Sequence, residues 1–386
     1  MEIVYITSSS FIDADASLIR ELVHKGVDVH LFLNLHPTGL RTTLLDIREQ
    51  YPHEGVFDSS IYGDCIDFYK EYLGVKKIFV VNRLSSSLIS GSRRLYKEQV
   101  ELIDSINPDI VHHIGWPKII DVPMMFKYRK KMVITIHDPV PHEVTRVSRL
   151  MRILRLLTSW PVKNYILLND AQTDDFCAYY HKKKEFIHYA KLGRYDVMTL
   201  FGREEKSAYR TILFYGRISR YKGVDVLLKA FCKIKNKFND VKLVIAGKGD
   251  FYFDVTPYQN DEQIEFRNTF ITLDDLGTLI RNCEFSVCPY ISATQSGVVA
   301  SVLALGKPLI VTNVGGLPAM IKEGRSGLIV EPNDIDALAN AMESLLEDKS
   351  KLDSMCDFIK EVTESEESSW DAIANKYMNI YNRIKK

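Results

Sequence analysis

Residues 3–7 form a short apolar run, Leu18, Ile19, Leu22 and Val23 recur behind it at helical spacing, Gly26 stops that helix, and 27–33 is a second apolar run. Short continuous runs bounded by turn residues predict buried strands, and a 3.6-residue period predicts a helix with one face on a core. The chain therefore opens as strand, helix, strand, with the two strands parallel. The alternation resumes with strands predicted over 109–113, 131–136, 162–168 and 186–189, and a helix over 95–106 closed by Asn107 and Pro108. From 34 to 100, Pro37, Gly39, Pro52, Gly55 and Gly63 break the pattern, so little beyond loops and short helices is predicted there.

A charged, weakly patterned stretch over 199–209 predicts a linker, and a second series starts at 211–215. Its strands, 241–246, 264–266, 285–288, 309–312 and 328–330, alternate with helices over 273–282, 297–305 and 334–346. After 309–312, the turn Asn313, Val314, Gly315, Gly316 leads into a further helix opened by Pro318. At the end Trp370, Ile373, Tyr377, Ile380, Tyr381 and Ile384 mark a long helix expected to cross back onto the first domain. With 386 residues, too many for one typical core, the reading is two Rossmann-like α/β domains: 1–205 with the helix 370–386, and 206–369.

Charge changes this picture only locally. Fifty Lys and Arg balance fifty Asp and Glu, so bulk charge points to no nucleic-acid partner. Six scattered cysteines without a Cys-x-x-Cys pair, no basic leader before the first strand and no apolar run near 18 residues point to a cytoplasmic chain with no spanning segment. Residues 146–157 are the exception. A helix there puts Arg146, Arg149, Arg152 and Arg155 on one side and Val147, Leu150, Met151, Leu154 and Leu157 on the other. It either lies on an anionic membrane surface or lipid phosphate, or is a solvated face whose apolar side packs on its own domain.

In parallel α/β sheets ligands sit beyond the carboxyl ends of strands, and this is where the candidate chemistry falls. His137 follows strand 131–136, where it can bond a sugar hydroxyl or phosphate, move a proton, or simply cap the strand. Gly216 and Arg217 end strand 211–215 and Lys222 precedes the next helix; a planar fork and a point charge there can clamp a diphosphate. Gly247 opens a glycine turn after 241–246, and the backbone from Asn268 through Phe270 to Ile271 can pair with a base edge. Gln295, Ser296, Gly297 and Val298 stand at a helix start, where uncapped amides meet anions. Small residues in tight strand-to-helix turns are the plain alternative for each glycine.

Taken in order, these pieces resemble the GT-B glycosyltransferases, specifically the retaining, nucleotide-sugar-dependent family 4. The likeness rests on Gly-Arg-x5-Gly with Lys222 before the second glycine, Ala-Gly-Lys-Gly-Asp, Cys-Pro-Tyr, Gly-Lys-Pro-Leu-Ile-Val-Thr-Asn-Val-Gly-Gly-Leu-Pro and Gly-x-x-Gly, all within 211–346. The resemblance implies two Rossmann-like domains facing a cleft, the donor nucleotide on the second and the acceptor on the first. It implies that Arg217 and Lys222 hold the diphosphate and that His137 lies near the transferred sugar. It also implies a reaction with no cofactor and no metal, the nucleotide-diphosphate sugar being a co-substrate.

The sequence departs from the family at one place. The family's two glutamates, eight positions apart, fall on Ala293 and Ser301, leaving Gln295, the Ser296 hydroxyl and helix-start amides for the donor. The expected function is retaining transfer from a nucleotide-diphosphate sugar to a hydroxyl of a lipid-linked surface polysaccharide precursor, at the inner face of the membrane. A non-catalytic GT-B subunit or lipid-bound scaffold, and a same-fold nucleotide-sugar epimerase, are the alternatives.

Overall fold

The computed structural model describes residues 1–385 except 43–44, 86–91, 138, 140–145, 169, 294–295 and 363–368, and the side chains of 146–149 and 171 are also outside that description. It divides into two compact units, Met1–Gly193 with Glu367–Lys386, and Arg194–Glu366.

The first unit is built on an eight-stranded sheet. Its order is Gly55–Asp58, Lys77–Asn82, Asp28–Leu35, Glu2–Ser8, Ile110–Ile114, Met132–Ile136, Asn164–Leu167, Ile187–Tyr189. Only the Gly55–Asp58 edge runs antiparallel to its neighbour. Every residue of Ile110–Ile114 and Met132–Ile136 is buried, as central parallel strands covered on both faces require. The terminal helix Trp370–Lys385 belongs to this unit, as expected from its apolar period: Ile373, Ala374, Tyr377, Ile380 and Tyr381 are all buried. The Trp370 ring covers Gly193, where an added Cβ would lie 2.5 Å from the indole.

A polar network runs through this core. Tyr381 Oη and His112 Nδ1 share a hydrogen bond of 2.7 Å, and His112 Nε2 and Thr135 Oγ1 another of 2.8 Å. Beside it Tyr5 Oη and Thr7 Oγ1 donate to the Asp15 carboxylate at 3.1 and 2.5 Å. Burial raises the Asp15 carboxyl from 3.8 to about 7, against the pull of these two donors. The folded state thus holds a proton on Asp15 that the unfolded chain has released, and stability falls as pH rises from about 4 to about 7. His112, pushed down to about 3 by burial, contributes the opposite slope below its ordinary value of 6.5. Asp15→Asn should therefore gain stability relative to the native chain between pH 4 and pH 7 in thermal melts. A difference independent of pH would show that Asp15 does not titrate in this window.

The second unit carries six parallel strands in the order Ile264–Arg267, Val241–Ala246, Arg210–Tyr215, Cys283–Cys288, Leu309–Thr312, Gly327–Val330. Numbered along this unit the order is 3-2-1-4-5-6, that of doubly wound nucleotide-binding sheets. The unit begins earlier than the expected boundary at 205/206, because the presumed linker is packed. Arg281 donates to the carbonyls of Phe201 and Thr199, Asn282 to that of Arg203, and the backbone at Gly202 lies against Gly277 so closely that a Cβ would reach 2.1 Å. Pro318 opens only a single 3-10 turn, Pro318–Met320, rather than a further helix; the chain extends again at Ile321 and reverses at Gly324 with φ +73°. An unanticipated helix, Lys349–Glu361, buries Leu352, Met355, Phe358 and Ile359 and is capped by Asp348, whose carboxylate accepts from the Lys351 amide. Three elements also lie in the stretch expected to hold little beyond loops and short helices: Gly55–Asp58, Asp64–Leu73 and Lys77–Asn82.

Candidate functional site

In the second sheet, strand order reverses between Arg210–Tyr215 and Cys283–Cys288, so the loops after these strands flank the crevice where doubly wound folds take ligands. Tyr215 leads into Gly216 at φ +128°, and Ala246 into Gly247 at φ +135°, conformations that exclude most side chains. A Cβ on Gly247 would sit 2.2 Å from the Gly216 carbonyl oxygen. A Cβ on Gly216 would lie 3.7 Å from Val298 Cγ2 and 3.9 Å from Lys222 Nζ. Gly216 and Lys222, Gly247, and Val298, from three separate stretches of the sequence, therefore meet at one point.

Lys222 is carried there by Gly223, whose φ of +66° and approach to the Pro289 carbonyl, 2.0 Å from any Cβ, no other residue could match. Its ammonium lies 3.8 Å from the centroid of the Tyr290 ring. Tyr290 is buried, and its hydroxyl is 3.3 Å from Ser296 Oγ. Burial pushes Lys222 down to about 8; the nearby Cys288 opposes that shift and the Arg217 charge adds to it. Among the described residues Lys222 has no carboxylate partner. Arg217 is exposed. Among the described residues neither of these two strand-end cations is paired with a carboxylate, an arrangement that favours a bound polyanion.

The helix Gly297–Ala304 completes the site. Ser296 precedes it in extended conformation without capping it, so among the described residues no side chain caps the first-turn amides at the positive end of the helix. Tyr215 Oη donates to the Val298 carbonyl at 3.3 Å, and Gly297 leaves room for the Tyr195 ring, 3.0 Å from any Cβ. Ser301, expected at the donor, is turned away: it is buried and donates back to the Gly297 carbonyl at 2.9 Å, the usual way a helical serine satisfies itself. The Asn268 side chain is likewise engaged, pairing with both the amide and the carbonyl of Gly249 at 3.0 and 2.9 Å, so it shapes the glycine turn. Phe270 is half-buried beyond it. Gln295 lies outside the described residues. The part of Tyr290, which stood in the Cys-Pro-Tyr pattern without a role, emerges only from the packing of its ring under Lys222.

His137 lies in the first unit, at the end of strand Met132–Ile136, its ring stacked on Phe11 at 4.5 Å between centroids. It borders a cavity of about 10 Å³, room for about one water, together with Asp15, Thr135, Lys191, Trp370 and Tyr377. The arginine patch is corrected by the structure. Arg152 donates to the Tyr179 carbonyl at 2.8 Å, and Arg155 to Tyr180 Oη at 3.1 Å, so both face the protein. The apolar residues Leu150 and Leu157, expected inside on one reading, are exposed. The side chains of Arg146 and Arg149 are not among those described.

Residues 209–348 match the family of glycosyl transferases group 1. An uncharacterized glycosyltransferase of Methanocaldococcus jannaschii is 26% identical over 250 residues, 61% of this chain and 63% of that one. A phosphatidyl-myo-inositol mannosyltransferase of Mycobacterium leprae is 27% identical over 185 residues, 45% of this chain and 47% of that one. The chain thus matches less than two thirds of the length of either relative. The Anabaena protein HepE, solved in complex with UDP, superposes with a TM-score of 0.68 at 13% identity, over 99% of this chain and 100% of that one, a likeness of fold. Residues 209–348 are thus similar to the group 1 glycosyl transferases, and the two Rossmann-like units have the GT-B fold.

Proposed function

We propose that this chain moves a sugar from a nucleotide-diphosphate sugar to a hydroxyl of a lipid-linked glycan, a precursor of surface polysaccharide, with retention of configuration and at the inner face of the cell membrane. The observation that carries the reading is the pair Arg217 and Lys222, without a carboxylate partner among the described residues, beside the amides of Gly297 and Val298, which no described side chain caps. A diphosphate there gains charge-assisted hydrogen bonds, and the same cations offset the charge that grows on it as the glycosidic bond breaks. The two side chains supply the positive charge that a metal gives elsewhere, so the transfer is proposed as metal-independent. The acceptor hydroxyl attacks from the face the diphosphate leaves, and its proton passes to the departing phosphate oxygen. His137 offers a hydrogen bond to a hydroxyl of the transferred sugar.

The UDP held by HepE supports a uridine nucleotide as the first to test, and the phosphatidyl-inositol acceptor named for the mycobacterial relative supports a lipid-borne acceptor. One observation favours a second reading, a non-catalytic GT-B subunit: Ala293 and the inward-turned Ser301 leave the two carboxylate positions of the family empty. Thermal-shift titration with UDP, GDP and ADP separates the two. A ligand at a hundred times its Kd adds about 2.7 kcal/mol to the stability of its unit, a shift of several degrees. Absence of any shift would overturn the transferase reading. Sugar released as an epimer without acceptor would assign the epimerase instead.

A further inference from the structure

The helix Arg146–Ser159 is mounted on the first unit the wrong way round for a helix in water. Its inward side holds guanidinium groups: Arg152 stacks on the Tyr179 ring at 4.5 Å and Arg155 on Trp116 at 5.0 Å, each with a hydrogen bond to a tyrosine. Its outward side is apolar. Leu150, Ile153 and Leu157, one stripe at helical spacing, are 59%, 55% and 64% exposed, and Trp160, just past the helix end, is 71% exposed. The Trp160 ring meets exposed Phe126 edge to face, 5.5 Å between centroids, which extends the stripe onto the neighbouring helix. Leu156 already packs on the core of the unit, so the stripe is not the anchoring face of the helix. Contiguous exposed apolar surface of this kind marks an interaction site.

Charge decides what covers it. Residues 122–136 hold four Lys and Arg, residues 146–169 hold five, and neither stretch holds an Asp or Glu, in a chain whose charges balance overall. Arg129, Lys130 and Lys163 are exposed on the elements that carry Phe126 and Trp160. A two-fold dimer through this face would set the basic rim against itself. We propose that the face lies in the headgroup layer of an anionic bilayer, with Leu150, Ile153, Leu157 and Trp160 among the first acyl carbons and the basic rim at the phosphates. No helix of the described residues is long and apolar enough to cross a membrane, so the contact is in the plane of the surface. Arg146 follows His137 by nine positions, so the strand end that carries the histidine is tied in sequence to the bilayer-facing helix. A lipid-linked acceptor gives this surface its purpose, but the evidence for the surface does not depend on the donor site.

Co-sedimentation of the full chain with vesicles of phosphatidylcholine alone, or mixed equally with phosphatidylglycerol, tests the inference. The native chain pellets with the mixed vesicles, Trp160 fluorescence shifts to the blue, and salt weakens both. Ile153→Glu with Leu157→Glu lowers the bound fraction at least about tenfold. Arg129→Gln with Lys130→Gln lowers it about tenfold or more, each surface cation being worth about a factor of five. Circular dichroism and the UDP thermal shift stay unchanged in both, so failure here is distinct from failure of the donor reading. A native chain left in the supernatant, binding indifferent to the Glu substitutions, or a dimer by light scattering that those substitutions split without any vesicle binding would each overturn it.

Discussion

Lys222→Ala should lower the turnover of the proposed transfer by about 10²- to 10³-fold while the fold, followed by circular dichroism, stays intact. Lys222 is half-buried against the Tyr290 ring and has no carboxylate partner among the described residues, so its ammonium is desolvated without compensation. A diphosphate restores that compensation, and most strongly when the departing phosphate carries its full charge, so the loss should fall on kcat more than on KM. Arg217, exposed and able to reach the same anion, should matter less: water screens it and can partly replace it. Because Lys222 stands near 8 in the free protein, a bound anion raises it, and UDP should bind best below about pH 8 and progressively more weakly above it. The Lys222→Ala protein should lose that pH dependence. Unchanged turnover in both variants would remove the diphosphate from this site.

Most strands were legible because each is a short apolar run bounded by turn residues, and the parallel order followed from alternation with helices. The middle of the first domain was not. Gly55–Asp58 is a four-residue edge strand with only its first residue buried, too little for a period to show. The helix Lys349–Glu361 could have been found, since Leu352, Met355 and Ile359 recur at helical spacing behind Asp348. Periodicity in 146–157 identified the two faces of a helix but not which one turns inward. That was settled by Tyr179, Tyr180 and Trp116, which take up Arg152 and Arg155 from elements remote in sequence. The same limit applies within the site. Spacing aligned Ser301 with a ligand-holding position, yet its hydroxyl satisfies itself on the Gly297 carbonyl, and spacing gave no hint of the ring that Tyr290 lays beneath Lys222. Residues whose part depends on backbone geometry, Gly216, Gly223 and Gly247, were the more readable, because only glycine can stand where they stand.

Gly247→Ala should be among the most damaging single methyl groups in the second unit. Two penalties coincide. At φ +135° an alanine is strained by about 1–2 kcal/mol before any contact is considered. Its Cβ would also lie 2.2 Å from the oxygen and 2.8 Å from the carbon of the Gly216 carbonyl, with no side chain in between whose rotation could make room. Relief must move backbone, and Gly216 is held by its amide on the Ala246 carbonyl at 2.9 Å while it lines the pocket of Lys222 and Val298. The expected result is a loss of about 3–4 kcal/mol in the stability of the second unit, together with loss of the UDP thermal shift. Gly324→Ala is the matched control: at φ +73° it bears the dihedral strain, but a Cβ there meets nothing within 4 Å. It should cost about 1 kcal/mol and leave UDP binding untouched. Equal losses in the two variants would mean that the dihedral angle alone requires glycine at 247, and that the close approach of the two strand ends does not build the donor site.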